Sequence, residues 1–197
     1  QGFWKKLHDA GGHTVAFFGY SLGFINWRIN YRNHRKIVVI DGKIGYVGGF
    51  NIGDEYLGKG KLGYWRDTHL RIVGDAVYSL QSRFFIDWNA AVHEDKRREF
   101  IPEYFPVVES MGQNTIQVVS TGPDASLQKI KLGLIKMISM AKKSVWIQTP
   151  YFIPDESVQE ALSIAALSGV DVRIMIPSKP DHPIVYRATE FYASQII

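Results

Sequence analysis

Hydrophobic and polar positions in the first part of the chain predict a hairpin, a third strand and a helix. Residues 35–40 and 43–47 are β-rich runs separated by Asp41-Gly42, a strong short-range hairpin signal. Alternation over residues 67–73 predicts a further strand, and Gly74-Asp75 then offers an N-cap for a helix. That helix is expected to place four apolar side chains on one side, those of Val77, Leu80, Phe84 and Trp88.

In the last third of the chain, strand-like and helix-like patterns alternate. Strands are predicted at residues 115–119, 145–148 and 170–176. Helices are predicted over residues 155–168, ended by Gly169, over 184–197, and from Pro123-Asp124 onward. Strands separated by helices of this length indicate right-handed βαβ units on a largely parallel sheet. The helix that opens at Pro123 is expected to have an apolar face formed by Leu127, Ile130, Leu134, Ile138 and Ala141.

The two ends of the chain have a similar order of elements. Near the start, a short helix is expected over residues 3–10, ended by Gly11-Gly12 and followed by a strand at 14–18. Near the end, a predicted helix is likewise ended by Gly169 and followed by a strand. Residues 94–113 are charged and contain two prolines, which predicts a linker. We therefore predict an α/β fold with mixed, largely parallel sheets flanked by helices, divided into residues 1–93 and 114–197. The similar order of elements at the two ends would also suit two copies of one α/β unit, of which this chain would hold the tail of the first and the head of the second.

Composition narrows the class of protein. With 46% hydrophobic residues, the chain has enough apolar surface for a packed core, which argues against a disordered chain. The absence of cysteine excludes disulfide scaffolds, zinc–thiolate sites and thiol catalysis. No stretch is apolar enough to predict a membrane span. Because the sequence starts at Gln1 and stops at Ile196-Ile197, we expect it to be a piece of a longer protein.

Positive charge is concentrated near the start of the chain. The formal net charge is +4, and residues 1–60 carry the whole of this excess. A cluster of basic residues in this part has only Asp41 among them, and such a cluster favours phosphate, nucleic acid or an anionic membrane surface as the ligand. The simpler alternative is a solvated strand face. The basic residues are Arg28, Arg32, Arg35, Lys36 and Lys43.

The hairpin is expected to gather polar groups at one end. Side chains alternate along a strand, so His34 and Lys36 should point to the same face. If Asp41-Gly42 is a two-residue turn, Ile40 lies opposite Lys43, Lys36 opposite Val47 and His34 opposite Gly49. Asn51 then follows just beyond.

These residue types suit a phosphodiester. Lysine supplies a fixed positive charge, asparagine supplies amide donors, and glycines let an anion approach backbone N–H groups. Histidine can attack phosphorus or serve as an acid or base near neutral pH. Asp41 is seven positions from His34, about 23 Å along a strand, so we expect it to support the hairpin. The alternative is a basic strand with an incidental histidine.

The spacing of His34, Lys36, Asp41, Gly48-Gly49 and Asn51 resembles the HKD motif of the phospholipase D superfamily. Further stretches resemble bacterial cardiolipin synthases. They are residues 30–36 (NYRNHRK), 48–56 (GGFNIGDEY), 64–74 (YWRDTHLRIVG), 148–155 (QTPYFIPD) and 168–189.

The resemblance implies two α/β halves related by a pseudo-two-fold axis, each giving one HKD motif to a single site. One histidine would attack the phosphorus of phosphatidylglycerol, forming a phosphatidyl-histidine and releasing glycerol, while the other protonates the leaving group. A second phosphatidylglycerol would then take the phosphatidyl group and become cardiolipin. The resemblance implies no metal and no cofactor.

By position, the resemblance makes His34, Lys36 and Asp41 the motif residues and Asn51 and Gly49 the phosphate-binding residues. Gly49 stands where many superfamily members have serine. Asp67 is a further candidate, because the family places a carboxylate behind the catalytic histidine near this position. Its alternative is a surface ion pair with Arg71 or Arg66.

No second His-x-Lys-x4-Asp follows residue 112, so the resemblance predicts that this chain holds half of a site. The expected partners are phosphatidylglycerol, an anionic membrane surface, and either the missing second half or a second copy of the chain. Nucleic acid is not expected, and the expected location is a bacterial cell membrane.

Four other interpretations stay open. Residues 19–23 fit the G-x-S-x-G pattern of a serine hydrolase. The aromatic stretch 17–27 suits a membrane-surface element. The motif also fits a phospholipase D-type phosphodiesterase or nuclease, and the basic cluster fits a non-catalytic module that binds anions or nucleic acid.

Overall fold

The computed structural model describes residues 2–17, 32–109, 111–122 and 125–196. The chain divides into two compact units, Gln1–Val118 and Val119–Ile197. Each unit combines a small sheet with helices, as the predicted α/β class requires.

The first unit is built around a three-stranded antiparallel sheet in the order β1-β2-β3. One long helix, α2, follows the third strand, and a short helix, α1, opens the unit. The elements are α1 (Lys5–Asp9), β1 (Ile37–Ile40), β2 (Ile44–Gly48), β3 (His69–Val73) and α2 (Ala76–Ala91), with 3-10 turns at Asp54–Leu57, Glu94–Lys96 and Pro102–Tyr104.

The predicted hairpin forms, but its register differs by one residue from the expected one. The Lys43 N–H donates to the Ile40 carbonyl at 3.0 Å, which closes the turn. Strand pairing nevertheless begins with Ile40 opposite Ile44, because Lys43 is an extra residue in the connection. Asp41 and Gly42 both have positive φ, 52° and 66°, a conformation that aspartate tolerates and glycine adopts freely.

The helix α2 covers one face of this sheet. Ile72, Val77 and Leu80 form its buried core, with partly buried side chains from β1 and β2 around them. A Cβ at Gly45 would lie 2.7 Å from Leu80 Cδ1, so the helix approaches the sheet closely at this glycine.

The predicted inner side of α2 is wrong toward the end of the helix. Phe84 is 47% exposed and stacks on Trp88 with ring centroids 6.1 Å apart. Gln81 and Phe85 are buried instead. The reason is a second partner, because Phe85 packs against aromatic rings from the chain that follows the helix, those of Phe100, Tyr104 and Phe105.

That following chain lies in the segment predicted to be a linker, residues 94–113. Its backbone is tied to α2, because Gln81 Nε2 donates to the Tyr104 carbonyl at 3.0 Å and the Tyr78 hydroxyl donates to the Pro106 carbonyl at 2.7 Å. The Val108 N–H in turn donates to the Tyr78 hydroxyl at 3.0 Å. Much of the segment therefore packs on the first unit rather than connecting two units.

Two predicted strands are not formed. Residues 14–17 and 115–119 have no strand structure, and Phe18 lies outside the described residues. Neither segment has a neighbouring strand among the described residues, and a β-rich run without a ladder partner does not become a strand.

The second unit contains the predicted βαβ arrangement. β4 (Ser144–Gln148) and β5 (Asp171–Met175) are parallel, and α4 (Glu156–Leu167) connects them. The other helices are α3 (Lys129–Met140) and α5 (Pro183–Ser194). The core consists of Ile138, Phe152, Ala161, Leu162, Ala165 and Val170.

Local signals set the ends of these helices. Asp155 caps α4, because its Oδ1 accepts the Val158 N–H at 3.2 Å, and Gly169 follows the helix with a φ of 84°. α3 begins at Lys129, and Pro123-Asp124 lies outside the described residues. On α3 the predicted face is only partly right, because Ile130 and Leu134 are about half exposed while Ile135 and Ile138 pack on the core. Leu127, just before the helix, is also about half exposed.

In the part of the chain that the structure describes, no helix has both the length and the apolar character needed to cross a membrane.

Candidate active site

His34 and Lys36 lie next to each other immediately before β1. Lys36 Nζ is 3.3 Å from His34 Nδ1 and also donates to the His34 carbonyl at 2.7 Å. A protonated lysine can only donate, so Nδ1 accepts in this contact and the neutral ring carries its proton on Nε2. The alternation of side chains predicted this juxtaposition of the two residues.

The residues on either side of His34 are held by a carboxylate on α2. Asn33 Nδ2 donates to Asp87 Oδ2 at 3.2 Å, and Arg35 Nη1 donates to the same oxygen at 3.1 Å. No short motif in the sequence points to Asp87, because 52 residues separate it from Arg35.

Gly49 makes room for Asp67. A Cβ on residue 49 would overlap the Asp67 carboxylate, whose Oδ1 also accepts the Thr68 N–H at 2.6 Å. The Gly49 N–H donates to the Thr68 carbonyl at 3.0 Å. The sequence had suggested that this N–H is open to an anion. It is instead bonded within the protein, because the pairing with the third strand continues past Gly48.

Asp67 lies beside this glycine and not in a surface ion pair. Within the described residues, neither Arg66 nor Arg71 forms a salt bridge with it. Its hydrogen bonds there do not include one to His34.

Gly48 makes room for His69 in the same way. The two residues are cross-strand partners, and a Cβ on Gly48 would lie 2.8 Å from His69 Cγ. The His69 ring stacks on Phe50 with centroids 5.4 Å apart, and its Nδ1 is buried without a hydrogen-bond partner among the described residues. The glycine pair thus forms a gap that two side chains from the third-strand segment occupy.

Asn51 is anchored near the same gap. Its Nδ2 donates to the Tyr56 hydroxyl at 3.1 Å, and that hydroxyl is 3.5 Å from the Gly49 carbonyl, to which it donates. The Tyr56 ring is in turn packed between Phe50 and Trp65, at centroid distances of 5.5 and 6.0 Å. Tyr56 is a contributor that the spacing of the motif did not reveal.

Asp41 lies at the opposite end of the hairpin from His34. It occupies the turn directly after the last residue of β1 and has the positive φ described above. The structure therefore brings together His34 with Lys36, and Gly49 with Asp67 and the Asn51–Tyr56 pair, but not Asp41 with His34.

Two sequence hypotheses cannot be placed. The G-x-S-x-G segment at 19–23 lies outside the described residues, and so does the aromatic stretch after Phe17, together with Arg28. Among the residues that are described, no group of three histidine, aspartate or glutamate side chains is arranged to hold a metal ion.

Known proteins match this chain in sequence over nearly all of its length. A family model described as "Cardiolipin synthase, PLD-like domain" matches residues 134–196. A cardiolipin synthase from Listeria welshimeri is 56% identical over 198 residues, which is 100% of this chain and 41% of the relative. The major cardiolipin synthase of Bacillus subtilis is 56% identical (99% of this chain, 40% of the relative), and a cardiolipin synthase of Staphylococcus aureus is 58% identical (98% and 39%).

The chain therefore spans about two fifths of the length of these relatives. No solved structure matches it.

Proposed function

The chain belongs to the family of bacterial cardiolipin synthases with phospholipase D-like domains, and from that relationship we propose that it takes part in phosphatidyl transfer between two phosphatidylglycerol molecules. The products are cardiolipin and glycerol. The observation that carries this proposal is the contact of Lys36 Nζ with His34 Nδ1 in a chain 56% identical throughout to a cardiolipin synthase.

The proposed reaction has two steps. A histidine nitrogen of one motif attacks the phosphorus of the first phosphatidylglycerol, forming a P–N bond while the P–O bond to glycerol breaks. The departing glycerol oxygen takes a proton from the histidine of the other motif. A primary hydroxyl of the second phosphatidylglycerol then attacks phosphorus and returns its proton to that histidine, and the P–N bond breaks as cardiolipin forms.

His34 supplies one of these two histidines, and the residues around it have separate tasks. Lys36, whose ammonium already lies at the ring, turns its charge to a non-bridging phosphate oxygen as the substrate arrives. Asn51 adds an amide donor, and Gly49 leaves room for the Asp67 carboxylate. The proposed histidine-orienting role of Asp67 requires the carboxylate to move from its place beside Gly49, where it has no hydrogen bond with His34, while Asp41 supports the turn.

The reaction needs a second HKD motif, and these 197 residues contain one. We propose that the second comes from further residues of a longer chain or from a second copy. The substrates are then phosphatidylglycerol molecules in an anionic membrane surface, at the bacterial cell membrane.

A chimera tests this function in a complete enzyme. The chain replaces its 56% identical counterpart in the Bacillus subtilis relative, and lipids are analysed by mass spectrometry after incubation with phosphatidylglycerol vesicles. We expect cardiolipin and glycerol, and a fall on the order of 10³-fold or more with His34→Ala. The control is His93→Ala, an exposed histidine whose ring contacts Asp95.

Equal cardiolipin formation by the chimera with His34 and with His34→Ala would overturn the proposal. Phosphatidic acid in place of cardiolipin would show hydrolysis rather than transfer, and would favour the phosphodiesterase alternative.

A further inference from the structure

We propose that Asp87 on α2 is a positioning residue for His34. It does not reach the reacting atoms, and it acts by fixing the two residues that flank the histidine. The inference deepens the proposed function, because it concerns the same site, but its first test does not depend on that function.

Asp87 is a buried carboxylate with three side-chain donors. Only 9% of the residue is exposed. Oδ1 accepts from Arg83 Nη2 at 2.6 Å, Oδ2 accepts from Asn33 Nδ2 at 3.2 Å, and Arg35 Nη1 lies within 3.3 Å of both oxygens. A buried carboxylate satisfied this fully, with two guanidinium groups as partners, holds its donors in one geometry.

Two of these donors belong to the residues immediately before and after His34. The segment from residue 32 to residue 36 precedes β1, and none of the described strands pairs with it. Asn33 also accepts the Arg35 N–H through Oδ1 at 2.9 Å, which closes a local turn across His34. The backbone at His34 is therefore held in place on both sides by side chains that bond to Asp87 on α2.

The bonds of Asn33 and Arg35 to Asp87 determine where the His34 side chain lies. Asn33 and Arg35 bond to Asp87 on α2, whereas His34 and Lys36 contact each other through Lys36 Nζ and His34 Nδ1. Loosening Asn33 and Arg35 lets the histidine backbone rotate and breaks this contact. An error of about 1 Å in the placement of a reacting group is enough to lower a rate by about 100-fold.

The first test reads the geometry of His34 directly. Long-range proton–nitrogen NMR spectra of the 197-residue chain at pH 8 report which nitrogen of each imidazole carries the proton, and His34→Gln assigns the His34 signals. In the wild type we expect an Nε2-protonated ring, because Nδ1 accepts from Lys36. In Asp87→Asn we expect the two nitrogen shifts to move toward the averaged values of a free ring.

The matched control is Asp75→Asn, which removes an exposed carboxylate at the start of the same helix that makes no side-chain capping bond. Its His34 signals should stay at the wild-type positions. Unchanged His34 signals in a folded Asp87→Asn chain would overturn the proposal. If Asp87→Asn does not fold, Arg35→Lys replaces it, since lysine keeps the positive charge but cannot hold both carboxylate oxygens as a guanidinium does. A smaller change of the His34 nitrogen shifts in the same direction is then expected.

The second test uses the chimera described above. We expect Asp87→Asn to lower kcat for cardiolipin formation by about 10- to 100-fold with KM changed less than about 2-fold, because the group that is misplaced acts in the reaction and not in holding the lipid. Asp87→Glu should restore part of kcat, and Asp75→Asn should leave it unchanged. Equal loss of kcat in Asp75→Asn and Asp87→Asn would contradict the positioning role of Asp87. An inactive wild-type chimera would count against the proposed function, and the NMR result would then decide on Asp87.

Discussion

At the scale of single residues, the glycines of the motif are explained by what they leave room for. Gly48 faces the His69 ring and Gly49 faces the Asp67 carboxylate, so each glycine is paired with a side chain of the third-strand segment. This gives a physical reason for the glycine at residue 49, where this chain departs from the serine of many superfamily members. A side chain there is incompatible with Asp67 in its present position.

This pairing makes Gly49→Ala a prediction about Asp67. The added methyl group displaces the carboxylate, so we expect the chimera with Gly49→Ala to lose about 10- to 100-fold in cardiolipin formation, as Asp67→Ala does. The double variant should be no worse than Asp67→Ala alone, because both changes remove the same contribution. Losses that multiply in the double variant would show that the two residues act independently.

At the scale of elements, glycine also decides how closely α2 packs on the sheet. In Gly45→Ala the new Cβ would lie 2.7 Å from Leu80 Cδ1, and Leu80 is almost fully buried. We expect overpacking to lower the free energy of unfolding by about 1–3 kcal/mol. The matched change is Gly133→Ala inside α3, where nothing lies within 4 Å and a gain of about 0.5–1 kcal/mol is expected.

Urea unfolding followed by circular dichroism measures both variants. A destabilisation of Gly45→Ala no larger than that of an exposed-site substitution would contradict the packing described for α2.

The start of α4 gives a prediction about pH. The hydrogen bond from Lys131, with those from the Ser157 hydroxyl and the Val158 N–H, lowers the pKa of Asp155 below its usual 3.8. A carboxyl whose pKa is lower when folded stabilises the fold above the unfolded pKa and loses this contribution as pH falls through the folded pKa. The wild type should therefore lose stability below about pH 4 more steeply than Asp155→Asn, which cannot titrate.

Unfolding in urea at pH 5, 4 and 3 compares the two proteins. Parallel loss of stability in both would mean that the Asp155 cap does not contribute to the pH dependence.

The elements that sequence could predict are those whose signals are local. The Asp41-Gly42 turn, the start of a helix near Asp155 and the Gly169 helix end all depend on neighbouring residues, and all three were predicted. The hairpin register was wrong by one residue, because the same turn signal fits a connection with or without Lys43. The inner face of α2 was wrong near Phe85, because its aromatic partners come from a later segment that no periodicity in the helix reveals.

The same distinction applies to the site. Lys36 was placed beside His34 correctly, since two residues of alternation are enough to bring them together. Asp87 was missed, because a buried carboxylate far along the chain has no signature in spacing. The resemblance to cardiolipin synthases, drawn from the motif and its flanking stretches, is confirmed by relatives that are 56–58% identical across nearly the whole chain.

At the scale of the whole molecule, one HKD motif in 197 residues leads to a prediction about activity. In the proposed reaction, attack on phosphorus and protonation of the leaving group need two histidines, and His34 is the candidate for one of them. We expect the chain alone to form no cardiolipin from phosphatidylglycerol vesicles under conditions in which the chimera does. Mass spectrometry of the lipids, over a 100-fold range of chain concentration, measures this.

Cardiolipin that rises with the square of the chain concentration and vanishes with His34→Ala would contradict the expectation. It would show that two copies combine their motifs into one site.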